Sequence, residues 1–142
     1  MSGRVELSPI GYVRTRPGRV PRSWTTSGVE GVLEVLPEYA EGLRDLREGE
    51  RILVVFHFHQ SPPFGPEHLR QTPPHREGPV GVFSTCSPLR PNPVGVSVLE
   101  VLGVEGRCVR VRGLDMLDGT PVLDIKPHVA ADPSHPCRRE RA

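Results

Sequence analysis

At 142 residues the chain has room for one hydrophobic core and hardly for two. Its 18 Lys and Arg stand against 17 Asp and Glu, a net charge of +1, which excludes a molecule-wide basic field and leaves only local patches for binding a polyanion. Lys126 is the only lysine, so the cationic side chains are forked guanidinium groups suited to phosphate or carboxylate, although arginine-rich codon usage explains most of them.

In chain order, "VELSPIGYV", Val5 to Val13, predicts an entry strand, and "GVLEVL", Gly31 to Leu36, a second. The polar loop "RTRPGRVPRSWTTSGVE" separates them. In "PEYAEGLRDLREGE", Pro37 suits a first helical position and Tyr39, Leu43 and Leu46 are spaced for one apolar face. A short helix is expected there, interrupted by Gly42 and ended by Gly49. "RILVVFHFHQ", Arg51 to Gln60, is the clearest strand. In a period of two, Ile52, Val54, Phe56 and Phe58 share one face, and Leu53, Val55, His57 and His59 the other. "VGVFST", Val80 to Thr85, and "PVGVSVLEVLGV", Pro93 to Val104, are further apolar runs; the second barely alternates, as a central strand does. "RCVRVRGL" sets Val109 and Val111 against Arg110 and Arg112, a half-exposed strand, and "TPVLDI" follows the turn signal "DGT". From Pro127, "PHVAADPSHPCRRERA" has the composition of a chain leaving its fold, which puts a domain over residues 1–127 and a tail over 128–142.

Six or seven strands with one or two short helices, and no alternation of strand and helix, predict a mostly β fold: a compact, mainly antiparallel small barrel or sandwich. No glycine-rich phosphate loop of the dinucleotide type is present, so a nucleotide-like ligand would be held another way.

Nine of the 17 prolines fall between Pro62 and Pro93. Proline fixes one backbone angle and lowers the entropy of the unfolded chain, so such loops can be long yet pre-organised, as a ligand pocket on a small barrel requires. A surface excursion without a task is the competing reading of Pro62 to Pro79. In "SPLRPNPVG", Arg90 sits next to Pro91 and Asn92 is held extended by Pro93. A guanidinium fork and an amide on a stiff backbone could grip a carboxylate or an adenine edge; a salt-bridged Arg and a turn-closing Asn are the alternative. His57 and His59, with His68, His75 and Cys86 to complete a set, could be metal ligands, but the pair lacks a carboxylate or thiolate at characteristic spacing, which favours satisfied or pocket histidines and no metal. Cys86 has no adjacent base to make it a nucleophile. In "GLDMLDGTPVLDIKP" turn chemistry explains Asp118 and Gly119 but not Asp124 and Lys126 on an otherwise apolar strand.

Cys86, Cys108 and Cys137 are odd in number and unpatterned, which fits a reducing compartment without disulfides. The start "MSGRVELSPIG" has no long apolar stretch and no later run approaches the ~20 residues of a membrane helix. A cytoplasmic protein with no membrane partner is expected.

"FSTCSPLRPNPVGVSVLEV" and "GLDMLDGTPVLDIKPH", preceded by "SPIGYVRT", "VPRSW" and "VVFHFHQ", resemble the TrmO family, also called TsaA-like or YaeB-like, from about Ile10 to Lys126. These are S-adenosylmethionine-dependent methyltransferases that N-methylate threonylcarbamoyl-adenosine beside the tRNA anticodon. The resemblance implies a compact antiparallel β-barrel working as a homodimer. It implies a cofactor pocket drawn from Arg22, Ser23 and Trp24, from His59 and Gln60, from the segment Cys86 through Val96 with Arg90 and Asn92, and from Asp115, Met116, Leu117 and Asp118. Two departures stand out. Cys86 occupies a position where the family usually has a cofactor-site arginine, and the chain ends soon after the second motif, where many bacterial members carry a further domain.

Methyl transfer to an amide-like nitrogen needs alignment and a base; His59 is the first candidate and Asp118 the second. Alternatives are a methyltransferase of a small metabolite, a metal-dependent small-barrel enzyme using His57 and His59, and a non-catalytic S-adenosylmethionine binder.

Overall fold

The structure, a computed structural model, describes residues 3–129. The two-residue period between Arg51 and His57 is realised in β3 (Arg51–His57): Ile52, Val54 and Phe56 are buried, while Leu53, Val55 and His57 are half-buried on the opposite face. The inward set meets Val13 of β1 (Gly11–Arg14), Leu33 and Val35 of β2 (Glu30–Val35), Leu99 and Val101 of β6 (Val94–Glu105), Val109 and Val111 of β7 (Cys108–Arg112), and Val122 of β8 (Pro121–Pro127), all within one core. Each such side chain contributes about 1.5–3 kcal/mol on leaving water.

The six strands close into a barrel in the order β1-β2-β7-β6-β3-β8. Every neighbouring pair is antiparallel, so none of the six keeps an unpaired edge. The long connection from β3 to β6 carries a small ribbon of β4 (Arg70–Gln71) and β5 (Val80–Gly81). β6, twelve residues long, is flanked by β3 and β7, as its near-continuous apolar run predicts.

Three elements differ from expectation. The entry strand starts only at Gly11; Val5 and Leu7 are exposed because no strand lies opposite them. The helix after β2 is a 3-10 helix over Pro37–Leu43. With three residues per turn rather than about 3.6, the helix buries Leu43 in the core and leaves Tyr39 in solvent, and Leu46, just past its end, packs against the core. The run Val80 to Thr85 pairs only at Val80–Gly81. It then tightens into a 3-10 turn at Val82–Ser84, burying Val82 and leaving Phe83 79% exposed. The other 3-10 segments, Trp24–Thr26 and Pro66–Leu69, lie in loops. The sequence expected beyond the fold lies mostly at 130–142, outside the described residues.

Candidate functional site at one rim of the barrel

Strand direction decides where the loops go. β1 ends, β2 begins, β3 ends, β6 begins, β7 ends and β8 begins at the same rim, as the pairings Arg14↔Val32, Glu30↔Arg112, His57↔Val94 and Phe56↔Val122 require. The three long connections, β1–β2 (residues 15–29), β3–β6 (58–93) and β7–β8 (113–120), therefore rise together. The residues that the family resemblance assigns to the cofactor pocket lie on these loops or, like Val96, at the start of β6, whereas His57 ends β3 and Asp124 and Lys126 lie on β8.

The β7–β8 loop braces the β1–β2 loop. The Asp115 carboxylate accepts the Trp24 backbone N–H at 2.9 Å on one oxygen and the Ser97 hydroxyl at 2.6 Å on the other. Ser27 donates its hydroxyl to the Leu114 carbonyl, and the Gly113 and Leu114 amides donate to the Val29 carbonyl. Farther along, Asp118 accepts the Thr15 backbone N–H at 3.0 Å. Gly119, at φ +81°, takes the turn conformation that L side chains avoid and donates its amide to Val13. Burial raises the pKa of Asp115 above the ordinary carboxylate range, and the bonds from Ser97 and Trp24 pull the other way.

The proline-rich loop is tied by side chains to its own backbone. Arg90 folds inward and donates Nη1 to the carbonyls of Thr85 (3.0 Å) and Ser87 (3.1 Å). Gln71 donates to the carbonyls of Leu89 and His68, and Ser61 to that of Pro88. Arg90 is thus a loop clamp rather than a free ligand fork. Asn92, Cys86 and Gln60 are exposed on the same rim, as are Arg22 and Leu117, while Ser23 caps the Trp24–Thr26 turn.

Several expected residues are placed differently. The Phe58 amide turns to the Pro93 carbonyl, so the strand stops at His57 and His59 sits in the following turn, its Nε2 3.5 Å from the Gln60 amide nitrogen. The two histidines therefore do not share a strand face. Among the described residues no three His, Cys, Asp or Glu side chains gather as a metal-holding group. Met116 is 2% exposed and belongs to the core, so only its backbone can meet a ligand. Val96, 52% exposed, points away from the barrel interior, opposite Val55 of β3. Asp124 and Lys126 pair with each other at 2.7 Å on the outer surface. Ser97, wholly buried, was not singled out from the sequence, although a lone hydroxyl in the apolar run "VGVSVLEV" was its signal.

A closed antiparallel barrel with braced loops and exposed polar side chains gathered at one rim defines a small-barrel protein whose candidate site is that rim. The family pattern of the tRNA-methyltransferase O N-terminal domain matches residues 14–132, and the chain belongs to that family. A Pyrococcus abyssi relative named as a probable S-adenosyl-L-methionine-binding protein is 42% identical over 85% of this chain and 66% of its own length. A Mus musculus relative, named tRNA (adenine(37)-N6)-methyltransferase, is 42% identical over 91% of this chain and 32% of its own. The crystal structure of TrmO from Pseudomonas aeruginosa superposes with a TM-score of 0.72 at 36% identity, covering 89% of this chain and 57% of that one. The chain thus spans less than two thirds of each of these three proteins.

Proposed function

We propose that this chain is an S-adenosylmethionine-dependent methyltransferase that N-methylates threonylcarbamoyl-adenosine next to the tRNA anticodon. The observation that carries the reading is the convergence of all three long loops, with the family's motifs on them, at one rim. The name of the mouse relative supports the acceptor.

The groups left free at the rim fit such a cofactor. Among the described residues no buried side-chain nitrogen or oxygen lacks a partner, so recognition falls to exposed groups. Arg22 offers a cation for a carboxylate, the second oxygen of Asp118 an acceptor for an ammonium group, and Gln60 and Asn92 amides for a base edge. Leu117 and the Trp24 ring offer apolar surface. When bound, the cofactor supplies an electrophilic methyl group on a sulfonium, and its thioether product leaves without needing a proton. The chain's task is then to align the acceptor nitrogen and take its proton. His59, half-buried at the rim, is the first candidate for that base, and Asp118 the second. Arg90 acts earlier, by holding the loop that carries Asn92.

Calorimetry with S-adenosylmethionine, followed by transfer of labelled methyl into bulk tRNA against a small-molecule extract, tests this. Label in tRNA is the expected result. Label confined to the extract moves the acceptor to a metabolite, and absence of cofactor binding removes the reading altogether.

A further inference from the structure

The segment between Arg14 and Glu30, "RTRPGRVPRSWTTSGVE", contains arginines at 14, 16, 19 and 22 and no acid before Glu30, in a chain whose charges otherwise nearly cancel. These arginines are not equivalent. Arg14 is paired with Glu34 across the β1–β2 ladder. Arg16, Arg19 and Arg22 are exposed and, among the described residues, have no carboxylate within ion-pair distance.

An exposed cationic loop is commonly no more than a solvated surface. Here the loop is fastened at both ends to the functional rim, at Thr15 by Asp118 and at Trp24 by Asp115. Both aspartates hold the loop backbone, and neither forms an ion pair with Arg16, Arg19 or Arg22. Charge is concentrated and left unpaired on the loop that also carries the only tryptophan of the chain. Unpaired arginines and an aromatic ring on one loop are the elements that grip a single-stranded nucleic acid, the cations on phosphates and the ring on a base.

We propose that Arg16 and Arg19 are phosphate contacts for an RNA acceptor, on a loop whose placement is set by Asp115 and Asp118. The inference rests on the acceptor being RNA but not on methyl transfer, so the two readings can fail separately. The test is binding of the full chain to a fluorescently labelled anticodon stem-loop RNA, measured by anisotropy across about 50 to 200 mM salt. The double variant Arg16→Gln/Arg19→Gln is compared in parallel, with cofactor affinity followed by calorimetry. Both positions are exposed loop residues, so the variant folds.

Two lost contacts should make the slope of log affinity against log salt shallower by about 1.4, at roughly 0.7 per contact, and weaken low-salt binding on the order of tenfold or more. Cofactor affinity should not change, and quenching of Trp24 emission by RNA should need more RNA. Unchanged affinity and slope overturn the proposal, as does a wild-type chain that binds the cofactor but no RNA, or one that binds phosphatidylserine vesicles and no RNA. Arginine-dependent RNA binding without cofactor binding upholds it and sinks the methyltransferase reading instead.

Discussion

Asp115 is the residue through which three parts of the rim are joined: its own loop, the Trp24 turn and β6 at Ser97. Its pKa is raised by burial, so the folded protein holds a proton there at pH values where the unfolded chain has released it. Stability from this group is therefore greatest below the ordinary carboxylate value near 3.8 and falls as pH rises toward the folded-state value. Asp115→Asn keeps an acceptor for the Trp24 amide and removes the titration. The difference in unfolding free energy between wild type and variant, measured by denaturant titration between pH 3 and 7, should shift in the variant's favour as pH rises. A difference that is flat with pH would contradict the burial argument. Ser97→Ala leaves one Asp115 oxygen unmatched in a buried setting and should cost about 1–3 kcal/mol, with a red-shifted Trp24 emission as the turn loosens. Cys86 is the other informative residue. It is exposed beside the carbonyls that Arg90 grips, so Cys86→Arg has room, and calorimetry should give cofactor binding that is tighter or unchanged. A steep loss would mean that the rim is built around the thiol.

At the level of elements, what could be read from the chain depended on whether local pattern or distant partners decided the outcome. β3, β7 and the Asp118-Gly119 turn were legible because their alternation and turn chemistry are local. The end of β3 was not, because it depends on the Phe58 amide finding Pro93, thirty-five residues away in sequence. The role of Arg90 was only half legible. The flanking sequence "PLRPNP" announces stiffness, but nothing in it shows the guanidinium turning back on Thr85 and Ser87 rather than outward to a ligand. Arg90→Ala should therefore act on the loop before it acts on chemistry. Hydrogen exchange over residues 85–92 should speed up while exchange in the barrel strands stays as in wild type, and cofactor affinity should fall with it. Lost affinity with unchanged exchange would return Arg90 to the role of a direct ligand.

For the whole molecule, the barrel separates its two ends. The rim with the long loops carries the candidate site, while the opposite end holds the 3-10 helix and the β6–β7 turn at Gly106. No helix among the described residues is long and apolar enough to cross a membrane. The wall between the ends shows Val94 and Val96 on β6, facing outward beside Val55 and His57 of β3, and both strands already have hydrogen-bonded neighbours on each side. A partner here would have to meet side-chain faces rather than add a strand. One exposed valine is ordinary, but two lie on one strand face beside the half-buried Val55, close to rim loops that carry site residues, and we propose that they meet a second copy of the chain, the homodimer that the family resemblance implies. Sedimentation equilibrium should then give twice the chain's mass. Val96→Lys should return the monomer with little change in thermal unfolding, because the side chain is already half in water. Cofactor affinity measured on that monomer decides how the site is built: retained affinity places the whole cofactor site within one copy, whereas lost affinity means that the partner closes it. A wild-type protein that sediments as a monomer would remove the dimer, and the outward valines would then be unpartnered surface.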